Sequence, residues 1–113
     1  MHELSLAHNV VAIVGEEAAR HGLTSVEAIT LRIGVLRAVV PELLQACMGH
    51  VCQGTVAEGA RVEIEQLPGR ARCSACGHEF PVEELLYACP SCGTLGGEIL
   101  QGQELELAEL EGD

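Results

Sequence analysis

The sequence predicts an α+β chain: two helices packed on a small three-stranded sheet, with an inserted four-cysteine, zinc-ribbon-like module. Three observations carry this. Apolar residues recur at helical spacing over 5–21 and again from Pro41 towards Gly54. The segments 26–37, 61–67 and 103–110 alternate apolar and polar residues, the period of a strand. Before the last of these stand Cys73-Ser-Ala-Cys76 and Cys89-Pro-Ser-Cys92, with twelve residues between the pairs.

In the first helix Leu4, Ala7, Val11, Val14 and Ala18 form an apolar stripe, widened by Leu6, Val10 and Ile13. Ser5 suits its start and Gly22 its stop. Over 26–37, Ile29, Leu31, Ile33 and Val35 share one face and Thr30, Arg32 and Gly34 the other, which reads as a half-buried strand. Pro41-Glu42 opens the second helix, because the first helical position tolerates the missing proline N–H. Its stripe is Leu44, Cys47, Met48 and Val51, and Gly54 ends it. Arg61–Leu67 is a strand with Val62 and Ile64 inward, broken by Pro68-Gly69 at the entry to the metal module. Gly96-Gly97 reads as a turn into the last strand, where Leu105 and Leu107 oppose Glu104 and Glu106. That strand is expected to return to the first sheet, with its final residues frayed. The organisation is therefore a domain over 1–69, completed by a strand within 101–113, and a zinc-binding module over 70–100 inserted between two adjacent strands.

Composition narrows the function. The chain has one Tyr, one Phe and no Trp, so its core must be aliphatic. Seventeen acidic residues face six basic ones, all arginine, for a net charge of −11. Phosphate backbones are held by clustered cations, so nucleic acid is excluded as a partner. No apolar run approaches the roughly 18 residues a membrane span needs. The run Val10 to Val14 has no basic leader and is followed by Glu16-Glu17, unlike a signal peptide. The expected location is cytoplasmic, where cysteines serve as metal ligands and free thiols rather than disulfides.

The quartet Cys73, Cys76, Cys89 and Cys92 reads as a tetrahedral thiolate site for structural zinc. Gly77 and Gly93, one after each pair, allow the sharp turn that frees amides around the sulfurs. A rubredoxin-like iron site uses similar turns but leans on aromatic shielding. A redox dithiol does not explain two matched pairs, and four thiolates leave no open position for catalysis. A lobe of about thirty residues with so few aromatics buries too little to fold alone, so metal binding must supply the difference. His78 reads as an exposed neighbour of the site.

A second site is suggested by Met1-His2-Glu3. The α-amino group of Met1, the amide of His2 and its imidazole close fused chelate rings, and the amide or carboxylate of Glu3 completes the set. Amide and imidazole nitrogens in a tetragonal arrangement suit Ni(II) or Cu(II) rather than zinc. The remaining groups have plainer roles. Cys47 faces the core, and Cys52 and His50 are poorly placed to share a metal with it. His8 and His21 are solvated. Ser5, Ser25, Ser74 and Ser91 have no recognisable base, and the glycines around Gly96 lack the lysine of a phosphate loop. Nothing indicates an enzyme.

Taken together, Met1-His2-Glu3-Leu4-Ser5, Pro41-Glu42-Leu43, Gly54-Thr55, the cysteine quartet and Gly102-Gln103-Glu104-Leu105 resemble the HypA/HybF hydrogenase maturation factors, which are nickel metallochaperones. The resemblance covers essentially the whole chain; Cys47 and Cys52 lie outside its pattern. It implies transported nickel bound at His2 with backbone nitrogens of Met1 and Glu3, and structural zinc at Cys73, Cys76, Cys89 and Cys92. It implies as partners a HypB-type maturation GTPase and the large-subunit precursor of a [NiFe]-hydrogenase, with the chain a monomer or a homodimer. The alternative reading is a zinc-ribbon protein-interaction adaptor in which Met1-His2-Glu3 is incidental.

Overall fold

The computed structural model describes residues 3–113. They form two compact units. The first comprises the residues through Arg32, with Val39–Glu65 and Glu106–Asp113; the second comprises Ile33–Ala38 and Gln66–Leu105.

In the first unit, helix α1 spans Glu3–Arg20 and buries Leu6, Ala7, Val10, Val14 and Ala18. The stripe is rotated from the expected one: Leu4 and Ile13 are exposed, at 43% and 47%. Ser5 lies inside the first turn rather than capping it, because the helix begins two residues earlier than its pattern suggested. The stop is as expected. Gly22 takes a left-handed φ of 70°, and the Leu23 amide donates to the Ala18 carbonyl at 2.8 Å while the Gly22 amide donates to Ala19 at 3.3 Å, so two terminal carbonyls are satisfied.

Strand β1, Val26–Gly34, is the middle strand of the order β2-β1-β6. Ala28, Ile29, Thr30 and Leu31 are all buried in succession, so β1 is not half-buried as its alternation implied. The small residues Ala28 and Thr30 are buried on the face opposite the branched ones. The strand also ends before 37: Val35–Arg37 is a 3-10 turn, closed by Ala38 at φ 56°. Helix α2, Pro41–Val51, has proline in its first turn and buries Leu44 and Met48 completely. Val40, at its N-cap, donates its amide to the Glu3 carboxylate at 3.0 Å, so an acid from α1 does what no local side chain does. Cys47 is only partly buried; the core thiol is Cys52, at 3% exposure, on the same row as Leu44 and Met48. Burial pushes the Cys52 thiol up from its usual pKa.

Strand β2, Arg61–Leu67, and strand β6, Leu105–Gly112, are the two edges of this sheet. The strands before and after the metal module are thus separated by β1, not adjacent. The end of β6 is not frayed: Asp113 donates its amide to the Ser25 carbonyl at 2.9 Å and accepts from Thr24 at 2.6 Å. Among the described residues no helix is long and apolar enough to cross a membrane.

Met48, on α2, is fully buried in this unit. Met48→Ala is expected to cost about 2–5 kcal/mol through lost transfer energy and a residual cavity. A denaturant midpoint in the variant equal to that of the native chain would contradict this.

The second unit carries a sheet of its own, which periodicity did not reveal. Strands β3 (Gly69–Arg72), β4 (Glu79–Val82) and β5 (Glu98–Gln101) pair in the order β4-β3-β5. Both pairings are antiparallel, with Ala71 opposite Phe80 on one side and Ile99 on the other. Four-residue strands are too short for alternation to register. Gly96-Gly97 leads into β5 rather than into the last strand. The core is small: Leu36, Ala71, Cys73, Phe80, Val82 and Cys89, flanked by Val35, Tyr87 and Ile99. Phe80 meets Tyr87 edge-on at 5.8 Å. Two of its six members are themselves cysteines of the quartet.

Three glycines cross closely in this unit. A Cβ on Gly34 would overlap the Gly102 carbonyl, and one on Gly102 would lie 2.8 Å from Gly69 Cα and 2.9 Å from Leu36 Cδ1. The Gly34 amide donates to Glu104 at 2.8 Å and the Leu36 amide to Gly102 at 2.9 Å across this crossing.

Candidate metal centre

Each cysteine pair is built as the same backbone turn. The Cys73 amide donates to the His78 carbonyl at 2.8 Å, and the Gly77 amide returns to the Cys73 carbonyl at 3.0 Å. Sixteen residues on, the Cys89 amide donates to Thr94 at 2.9 Å and the Gly93 amide to Cys89 at 2.9 Å. Gly77 and Gly93 have φ of 77° and 79°, the left-handed conformation that closes each turn. The expectation drawn from the glycine after each pair therefore holds at both.

The turns bring Cys73, Cys76, Cys89 and Cys92 together, with one sulfur from each within 4.8 Å of all the others. Cys73 Sγ lies 3.5 Å from Cys92 Sγ, and Cys76 Sγ lies 3.7 Å from Cys89 Sγ. Four sulfurs at zinc–sulfur bonding distance on a tetrahedron stand about 3.8 Å apart. The cluster therefore fits a structural zinc site, with no fifth position for substrate. Cys73 and Cys89 are buried, whereas Cys76 and Cys92 are exposed.

The surroundings favour thiolates unevenly. The Cys76 and Ala75 amides point at Cys73 Sγ, from 3.5 and 3.3 Å, and lower its pKa to about 6 despite burial. Thr94, whose hydroxyl is 3.2 Å from Cys92 Sγ, lowers Cys92. The His78 amide also pulls Cys76 down, but burial and the sulfurs of Cys89, Cys73 and Cys92 outweigh it and raise Cys76 to about 11. Divalent cations bind the deprotonated sulfurs, so a thiolate preorganised by backbone amides is a ready first ligand. Thr94 was not singled out by sequence; a hydroxyl two residues after the last cysteine is the available signal. His78 is exposed and stacks on Phe80 at 6.0 Å, so its ring shields the core beside the site.

At the other predicted site, Met1 and His2 lie outside the described residues. Glu3 opens α1, and its carboxylate accepts from the Val40 amide. Cys47, His50 and Cys52 join no ligand cluster among the described residues. His8 and His21 are exposed, the latter 3.6 Å from Glu17. Each of the six arginines faces this chain's own groups: Arg20, Arg32, Arg61, Arg70 and Arg72 face carboxylates, and Arg37 donates to the Gln103 carbonyl at 2.8 Å.

Fold and site define a class: a chain joining a helix-and-sheet unit to a closed four-thiolate metal module. The family model described as hydrogenase/urease nickel incorporation, metallochaperone, HypA matches residues 1–112. The hydrogenase maturation factor HypA of Geobacter metallireducens is 43% identical over 111 residues, covering 98% of each chain. That of Azotobacter vinelandii is 42% identical over the same coverage. The solution structure of the Ni metallochaperone HypA from Helicobacter pylori superposes with a TM-score of 0.74 at 26% identity, covering 99% of this chain and 97% of that one. The chain belongs to the HypA family of nickel-incorporation metallochaperones. These findings give the adaptor reading no support.

Proposed function

We propose that this chain captures Ni(II) at Met1-His2-Glu3 and delivers it to the precursor of a [NiFe]-hydrogenase large subunit in the cytoplasm, without catalytic turnover. The observation that carries the reading is the whole-chain match to the HypA model, residues 1–112, with Met-His-Glu included in the matched span. The His2 imidazole and amide nitrogen, the Met1 amine and the Glu3 amide form a tetragonal nitrogen set suited to Ni(II). The Glu3 carboxylate is engaged with Val40, which favours the Glu3 backbone nitrogen over its side chain as ligand. The ion is then passed on by ligand exchange, once the chain is docked on a HypB-type GTPase or on the client. The thiolate quartet holds structural zinc and takes no part in that exchange.

A nickel titration of protein with a native, untagged N-terminus tests this beside His2→Ala, with zinc counted in both. The expected result is about one nickel per chain in the native protein and none in the variant, with about one zinc in each. Equal nickel binding in the two proteins would move the ligands away from His2.

A further inference from the structure

The edge strand β6 and helix α1 enclose a groove of about 680 Å³ in the first unit. One wall is Ile13, Glu17 and His21, one row of α1 at four-residue spacing. The other wall is the unbroken run Leu107 to Gly112. A strand seen from its face contributes alternate residues; six in succession mean that β6 presents its edge to the groove. β6 is last in the order β2-β1-β6, so no strand of the described residues completes its outer ladder.

Charge decides what can fill the groove. From Glu104 to Asp113 the chain has five acidic residues and no basic one. Glu109 and Glu111 from β6 and Glu17 from α1 line the groove around Ile13, Leu107 and Leu110. The opposite edge, β2, differs: there Arg61 pairs with Glu63 and Arg32 with Glu65, both at 3.1 Å. Two β6 edges brought together would set glutamate against glutamate, which is unfavourable for directly opposed residues. Acidic side chains thus guard β6 against a second copy while attracting the opposite charge.

We propose that the α1–β6 groove is a docking site for an extended, lysine- or arginine-bearing segment of a partner protein, which adds a strand to β6. Its main chain completes the ladder, its apolar residues enter between Ile13 and Leu110, and its cations meet Glu109 and Glu111. The inference rests on the first unit alone and does not depend on nickel binding.

The test uses the full chain and an eight-residue peptide alternating lysine and valine. Two control peptides accompany it, one with glutamate for lysine and one N-methylated throughout. The expected result is saturable binding that weakens with salt, slowed amide exchange confined to 107–112, and at least roughly tenfold weaker binding of both controls. Glu109→Lys with Glu111→Lys, and separately Ile13→Arg on the exposed α1 wall, should each weaken binding by roughly tenfold with the fold unchanged by circular dichroism. Equal binding of the N-methylated peptide, protection elsewhere, or no saturable binding would overturn the proposal. So would self-association of the peptide-free chain through β6, which would give the edge to a second copy.

Discussion

Stripping the metal from the four-cysteine site is expected to unfold β3, β4 and β5 while the first unit keeps its helices. The second unit's core has six buried residues, and two of them, Cys73 and Cys89, are ligand candidates themselves. Without a cation, burying these sulfurs brings no bonding in return, and Phe80, Val82, Ala71 and Leu36 are left to offset the ordering entropy of some forty residues. Structural zinc contributes about 10 kcal/mol or more to such modules. The first unit has an independent core of Leu6, Val14, Ile29, Leu31, Leu44 and Met48, all at 1% exposure or less. Amide exchange should therefore collapse after chelation at Ala71, Phe80 and Cys89 and persist at Val10, Leu31 and Met48. Cys89→Ser should behave as the chelated protein does. Full protection of β3 in metal-free protein would show that the small core suffices.

The second large effect is expected at Gly34, a residue far in sequence from any ligand. Its φ of −71° is ordinary, so conformation does not demand glycine there. Space does: the Cβ of alanine would overlap the Gly102 carbonyl and lie 2.5 Å from the Gln103 amide nitrogen. Backbone cannot give way as the end of a flexible side chain can. Gly34→Ala must part the two segments and lengthen the Gly34–Glu104 and Leu36–Gly102 hydrogen bonds. Overpacking alone costs about 1–3 kcal/mol, and two disturbed hydrogen bonds about 1 kcal/mol each. The total of roughly 3–5 kcal/mol is a large share of a small protein's stability. Gly15, with open space where a Cβ would go, is the natural comparison. Matching urea midpoints for Gly34→Ala and Gly15→Ala would refute the steric account.

What could be read from the sequence was local. Each cysteine pair with its following glycine encodes one backbone turn, and the turn needs nothing from elsewhere to aim its sulfurs. The helices were legible because an 18-residue helix repeats its apolar period several times. Three kinds of feature were not. The four-residue strands of the second unit hold too few residues to show a period, and strand partners lie as far apart as Arg70 and Gln101. Cys52 was missed as the core thiol because the apolar stripe was drawn through Cys47; its four-residue spacing from Met48 and Leu44 was the signal. The contact of Glu3 with Val40 and the crossing of Gly34 with Gly102 join residues 37 and 68 positions apart, and no local pattern encodes either. The helix stripe was found but turned, since periodicity fixes spacing more firmly than it fixes which of two neighbouring rows faces inward.

The unequal exposure of the sulfurs has a kinetic consequence. In each turn the first cysteine is buried and the second faces solvent. A competing thiol, a chelator or an oxidant can therefore approach only Cys76 and Cys92, and an ion held by the quartet can be released only from that side. The inner pair, Cys73 and Cys89, would hold on until the outer pair had let go. The site is closed as a matter of equilibrium, yet it has a front door and a back wall, and the rate at which it loses its ion is set by two of its four ligands.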